Sequence, residues 1–273
     1  MNANGTCRHR VTHSGQGNDF DPSWAPEGRR LVFRTSRGHY EPDVFGNGLE
    51  GLFVVNVGGR HEREIEPRTG GMAADWSPGG DKIAFSGLRP GKRFDTLFLM
   101  DPDGGALHDL GTPYGSEGAV WSPDARRIEY GMHNGDGNWA IWTMNVDGSD
   151  QRQLTHLRLV FPAGSGGDVP GPWSPDGKRI AYSAGQFRSR EVWIMNADGS
   201  ERHRVTHWPG ADGPVAWLPN GRIVFSHFSG DEPLPHWYWM KPDGTGIRSL
   251  PLLTGAGDPL DWLPHAAPDP RCR

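Results

Sequence analysis

At 273 residues the chain can bury one large core, and its 40 Gly, 24 Pro and 12 Trp describe a turn-rich β protein. A formal net charge of −5, with 24 Arg and 4 Lys scattered along the chain, gives a nucleic-acid partner no electrostatic support. No apolar run approaches the roughly 18 residues of a membrane helix, and the N-terminus lacks the charged-then-apolar profile of a signal peptide.

In chain order, the opening MNANGTCRHRVT of residues 1–12 matches MNADGSERHRVT at residues 195–206. The chain therefore opens inside a repeat, and residues 1–13 are expected to form an outer strand. A Trp-x-Pro start then recurs at Trp24 (WAPEGRRLVF), Trp76 (WSPGGDKIAF), Trp121 (WSPDARRIEY), Trp173 (WSPDGKRIAY), Trp217 (WLPNGRIVFS) and Trp262 (WLPH). The steps are 52, 45, 52, 44 and 45 residues. A second half recurs as LFLMDPDGG from Leu97, IWTMNVDGS from Ile141, EVWIMNADGS from Glu191 and WYWMKPDGT from Trp237, with LFVVNVGG from Leu52 as a degenerate copy.

Residues 173–206 show the unit most clearly. Trp173 ends a first strand, and Ser174-Pro175-Asp176-Gly177 makes a turn. Arg179 to Ser183 alternates as a second strand, Gln186 to Arg190 forms a polar loop, and Glu191 to Asn196 is the third strand. Ala197-Asp198-Gly199-Ser200 turns the chain into an outer strand over Arg202 to Thr206. Four strands in a period of about 40–50 residues predict a β-propeller. The expected fold is one all-β domain of four-stranded antiparallel blades, six-bladed in plan, with five complete repeats. The sixth blade is incomplete, with an inner strand near Trp262, an outer strand from residues 1–13 and no middle strands. An upstream segment absent from this sequence would explain it, as would a five-bladed ring with frayed ends. Cys7 and Cys272 fall on the two ends that ring closure would bring together, so they pair as a disulfide or stand as two free thiols.

The motifs Trp-Ser-Pro-Asp-Gly-Lys-x-Ile-Ala and aromatic-x-Met-Asn-x-Asp-Gly resemble the TolB-type propeller repeat, most fully over residues 173–200. The resemblance covers essentially the whole chain. It implies the propeller architecture and leaves the chemistry open. The family includes the protein-binding TolB, the propellers of prolyl-oligopeptidase-like enzymes and some sugar lyases.

Antiparallel blades send alternate loops to opposite faces. The Trp-x-Pro-Asp-Gly and Asp-Gly-Ser turns share a uniform, structural face. The loops after each second strand and between blades share the other face and vary, as functional loops do. On that face an acidic residue stands four or five positions before the Trp in five repeats: Asp19, Glu117, Asp168, Asp212 and Asp258. The second repeat has Gly71 and Met72 there. These carboxylates are expected to ring the channel mouth and to bind a basic segment or a divalent cation. An Asp before a strand also caps a turn, which is the competing expectation. His39, His133, His227 and His236 lie in second-strand loops on the same face and are possible accessory groups. Trp139 and Trp208 stand in or near loops and could stack on a sugar or a proline.

No Gly-x-Ser-x-Gly elbow, His-Glu-x-x-His helix, zinc-type Cys pair or phosphate loop occurs. The reading that follows is a monomeric, non-catalytic module that binds a protein or peptide over the acidic face without a required cofactor. The alternative is a metal-dependent, lyase-like enzyme on carbohydrate that uses the acidic mouth with His133 or His227.

Overall fold

Each described Trp-x-Pro repeat contributes four antiparallel strands, forming separate sheets in blades 1, 2 and 5, while blades 3 and 4 join in one eight-stranded sheet through a parallel bridge between Trp139 and Gly167. The computed structural model describes residues 11–12, 18–36, 51–66, 69–88, 94–113, 115–133, 138–156, 166–230 and 235–250, and no helix occurs among them. Blade 1 contains β1 (Asp19–Trp24), β2 (Arg30–Thr35), β3 (Gly51–Asn56) and β4 (Arg63–Glu66). Blade 2 contains β5 (Met72–Trp76), β6 (Ile83–Leu88), β7 (Asp95–Met100) and β8 (His108–Asp109). Blade 3 contains β9 (Ser116–Trp121), β10 (Arg127–His133), β11 (Trp139–Asn145) and β12 (Arg152–Gln153). Blade 4 contains β13 (Gly166–Val169), β14 (Arg179–Gln186), β15 (Glu191–Asn196) and β16 (His203–Arg204). Blade 5 contains β17 (Ala211–Trp217), β18 (Ile223–Phe228), β19 (His236–Met240) and β20 (Arg248–Ser249). The expected sixth blade and the Cys7–Cys272 pair lie outside the described residues.

Blades adhere through apolar side chains sent from both neighbours. Val32, Leu52 and Val54 of blade 1 pack on Trp76, Ile83 and Phe85 of blade 2. Ala181, Val192 and Ile194 of blade 4 pack on Trp217, Ile223 and Phe225 of blade 5 in the same way. Trp76, Trp121, Trp173 and Trp217 are all buried, because a large indole removes much apolar surface from water at each seam. The third-to-fourth-strand turns add a lock. Gly199 (φ 86°) lies so close to Leu154 of the preceding blade that a Cβ would fall 2.7 Å from its carbonyl oxygen.

Local chemistry sets the strand ends. Thr206 Oγ1 accepts from Val192 N–H at 2.8 Å, so the side chain replaces a ladder bond and the outer strand shortens to two residues. Thr155 does the same for Ile141 N–H at 2.9 Å. The first strand of blade 4 departs from expectation. It stops at Val169, and Trp173 keeps only a lone bridge to Ile180. Pro170 and Pro172 have no N–H to donate, which interrupts the ladder between them.

The innermost strands of blades 1, 2 and 3 share a bulge where they pair with their second strands. Three residues before each Trp the backbone turns to positive φ, 48° at Asp21, 46° at Ala73 and 71° at Gly118. A bulge bends the strand and re-aims the residue beside it, here Glu117 in blade 3.

Candidate functional site

The carboxylates singled out by the repeat stand at or near the starts of the innermost strands, but in different surroundings. Asp19 is half-buried and Glu117 is exposed, whereas Asp168 and Asp212 are only 5% and 2% exposed. Asp258 and His39 lie outside the described residues. Blade 2 has Gly71 and Met72 here, and a Cβ on Gly71 would fall 2.6 Å from Leu52 Cδ1.

Glu117 touches water yet is crowded by protein, as the wall of a concave mouth would be. Loss of solvation pushes its carboxyl above the usual range, Asp95 adds like-charge repulsion, and Arg34 opposes both. Those three groups come from blades 3, 2 and 1. Asp168 is raised by burial and held down by a hydrogen bond with Thr155 and by the charges of Arg202 and Arg190. Asp212 is paired with its cross-strand neighbour: His227 Nδ1 lies 2.7 Å from Oδ1. Its second oxygen is buried without a hydrogen-bond partner among the described residues.

The histidines and tryptophans of this face are packed together. His227 meets Trp208 edge-on at 5.1 Å and Tyr238 at 6.2 Å. His236 stands opposite His227 in the next strand. In blade 3, His133 covers Trp139 with ring centroids 3.8 Å apart. Gly167 permits this corner, since a Cβ there would fall 2.6 Å from Trp139 Cβ. Among the described residues no three His, Cys, Asp or Glu side chains converge as a metal-binding group.

Two features escaped sequence reasoning. Phe94, Phe187 and Phe228 are 57%, 55% and 41% exposed, and all three lie in or beside second-to-third-strand loops on this face. Arg190 stacks over Phe187 at 4.4 Å. The other feature is Glu129, fully buried on β10, with Gly171 N–H 3.4 Å from Oε1 and Oε2 unpartnered among the described residues. Its signal was present in the repeat, where Val32, Ala84, Ala181 and Val224 hold the same place.

No family model matches the sequence. Over 215 residues the chain is 26% identical to the uncharacterized peptidase YuxL of Bacillus subtilis, covering 76% of this chain and 29% of that protein. Over 145 residues it is 28% identical to the Tol-Pal system protein TolB of Anaeromyxobacter dehalogenans, covering 51% of this chain and 30% of that one. The solved structure of putative TolB from Agrobacterium tumefaciens superposes with a TM-score of 0.68 at 21% identity, covering 85% of this chain and 80% of that one. The chain has a β-propeller fold similar to that of TolB. Other proteins with this fold include an oligogalacturonate lyase in complex with manganese, at TM-score 0.56 and 13% identity, covering 85% of this chain and 65% of that one. Proteins with this fold thus carry different chemistries on one scaffold. No helix among the described residues is long and apolar enough to cross a membrane.

Proposed function

We propose that this TolB-like propeller is a non-catalytic module that holds a protein or peptide over its loop face. One observation carries the reading: the large exposed hydrophobic side chains among the described residues, Phe94, Phe187 and Phe228, all belong to that face. Exposed aromatics surrounding a partly charged centre are the usual make-up of an interaction surface. Glu117 and Asp95 favour a segment that carries a basic group beside apolar ones. A relative in the Tol-Pal system is in keeping with a role in protein assembly. Selection of peptides from a displayed library against the purified chain tests this. Enriched peptides should bind the Phe94→Ser/Phe187→Ser/Phe228→Ser variant at least about tenfold more weakly. Equal binding to that variant would overturn the reading.

The second reading, a metal-dependent enzyme on carbohydrate, draws on the Asp212–His227 pair beside Trp208. A carboxylate bonded to Nδ1 orients a histidine for proton transfer or ligation at Nε2. The described donors do not complete a metal site, since His133 and His227 stand on different blades and no triad forms among the described residues.

A further inference from the structure

The turn face holds an unmatched slot between blades 3 and 4. Arg30, Lys82, Arg127, Arg179 and Arg222 occupy one repeat position, at the start of the second strand. At two of the four described seams this cation covers the Trp-x-Pro ring of the following blade, whereas Lys82 instead pairs with Asp101 at 2.7 Å. The Arg30 guanidinium lies 4.7 Å from the Trp76 ring centroid, and that of Arg179 lies 4.9 Å from Trp217. Arg127, in the position from which Arg30 and Arg179 cover a ring, is drawn back into its own blade. Its Nε donates to Thr143 Oγ1 at 3.1 Å, and one terminal nitrogen donates to Asn145 Oδ1 at 3.0 Å and Asp150 Oδ2 at 2.8 Å.

A cleft of about 450 Å³ remains over Trp173, walled by Pro123, Pro175, Asp124, Asp176 and Asp198. The Trp173 indole N–H is buried without a hydrogen-bond partner among the described residues, as is that of Trp76 beneath Arg30. At the preceding seam, Trp121 Nε1 instead donates to Asp75 O at 3.2 Å. Asp124, Asp176 and Asp198 each use Oδ1 on their own turns, accepting from Ser122, Ser174 and Ser200 hydroxyls at 2.7, 2.6 and 2.6 Å. Those bonds hold all three carboxyls below the usual range, so they are ionised at neutral pH. Among the described residues their second oxygens accept no hydrogen bond and are open to a further donor. Arg127, matched by Asp150, and Arg152 also line the cleft, and Arg126 and Lys178 stand on the same turns. Net charge therefore gives little selectivity. The ring face together with the carboxylate directions gives it instead.

We infer that this cleft is a docking slot for a guanidinium group, the side chain of an arginine in an exposed segment of a partner, which takes the place over Trp173 that Arg30 and Arg179 take at the sister seams. A planar guanidinium can lie on the indole while its N–H fork meets Asp124 and Asp176, which a lysine ammonium does less well. The slot faces away from the loop face and is independent of what binds there.

Titration of the isotope-labelled chain with acetyl-arginine-amide tests this through the Trp173 indole N–H resonance, assigned by triple-resonance connectivities. The expected result is a saturable shift that acetyl-citrulline-amide, the uncharged isostere, does not produce. In Asp124→Asn/Asp176→Asn the affinity should fall at least about tenfold. That variant keeps its turns, because blade 5 has Asn220 at the same place, with Oδ1 accepting from Arg222 N–H at 3.1 Å. An unmoved Trp173 resonance, an equal response to the citrulline probe, or an unchanged affinity in the double variant would overturn the proposal.

Discussion

Glu129 occupies a slot built for a small apolar side chain, and this single exchange adds to the dependence of stability on pH. Burial drives its carboxyl well above the ordinary 4.5, opposed only by the Gly171 N–H. In the unfolded chain the group ionises near its ordinary value, whereas in the fold it keeps its proton. Between those two values the unfolded state binds fewer protons, so stability falls as pH rises. The slope from one such group is up to about 1.4 kcal/mol per pH unit. Glu129→Gln should remove that contribution, giving a flatter profile of urea-unfolding free energy above pH 4.5. A profile with unchanged slope would show that Glu129 ionises in the fold. Asp168 is raised by burial too, so some slope of the same sign is expected to remain.

At the scale of the element, glycines in the two kinds of turn do different work. Gly199 and Gly221 both take positive φ, 86° and 80°. A Cβ at Gly221 meets nothing within 4 Å, whereas one at Gly199 meets the Leu154 carbonyl oxygen at 2.7 Å. Gly221→Ala should therefore cost about 1 kcal/mol, the strain of the left-handed backbone alone. Gly199→Ala adds a clash between blades and should cost about 3 kcal/mol. Urea denaturation of both variants separates the two contributions, and equal losses would mean that the seam yields freely.

For the molecule as a whole, the two faces of the blade array differ because their loops differ. The turn face repeats Ser-Asp and Asp-Ser bonds from blade to blade. The loop face gathers Glu117, Asp95 and Arg34 from three blades, with aromatics around them. If that face takes a peptide and no metal, calcium, manganese and magnesium should each leave the thermal midpoint where a chelator leaves it. A cation that bound only the folded state would add about 2.7 kcal/mol at 100 times its Kd, which a melt resolves. A saturable rise with one cation would favour the carbohydrate-enzyme reading.

The repeat made the fold legible. Tryptophans spaced 44–52 residues apart, strands such as Glu191–Asn196, and Asp-Gly turns are local signals, and local signals survive in a one-dimensional string. The acidic position before each Trp was legible as well, but its environment was not. Glu117 meets water, while Asp168 and Asp212 are buried on Thr155 and His227, because burial depends on the neighbouring strand and blade. His133 against Trp139 and the exposed Phe94, Phe187 and Phe228 are likewise facts of packing. Sequence alone therefore determined the architecture and the face that carries variable loops. Tertiary structure decided which side chains on that face meet solvent, and that Arg127 turns away from Trp173, because both follow from contacts between residues far apart in the chain.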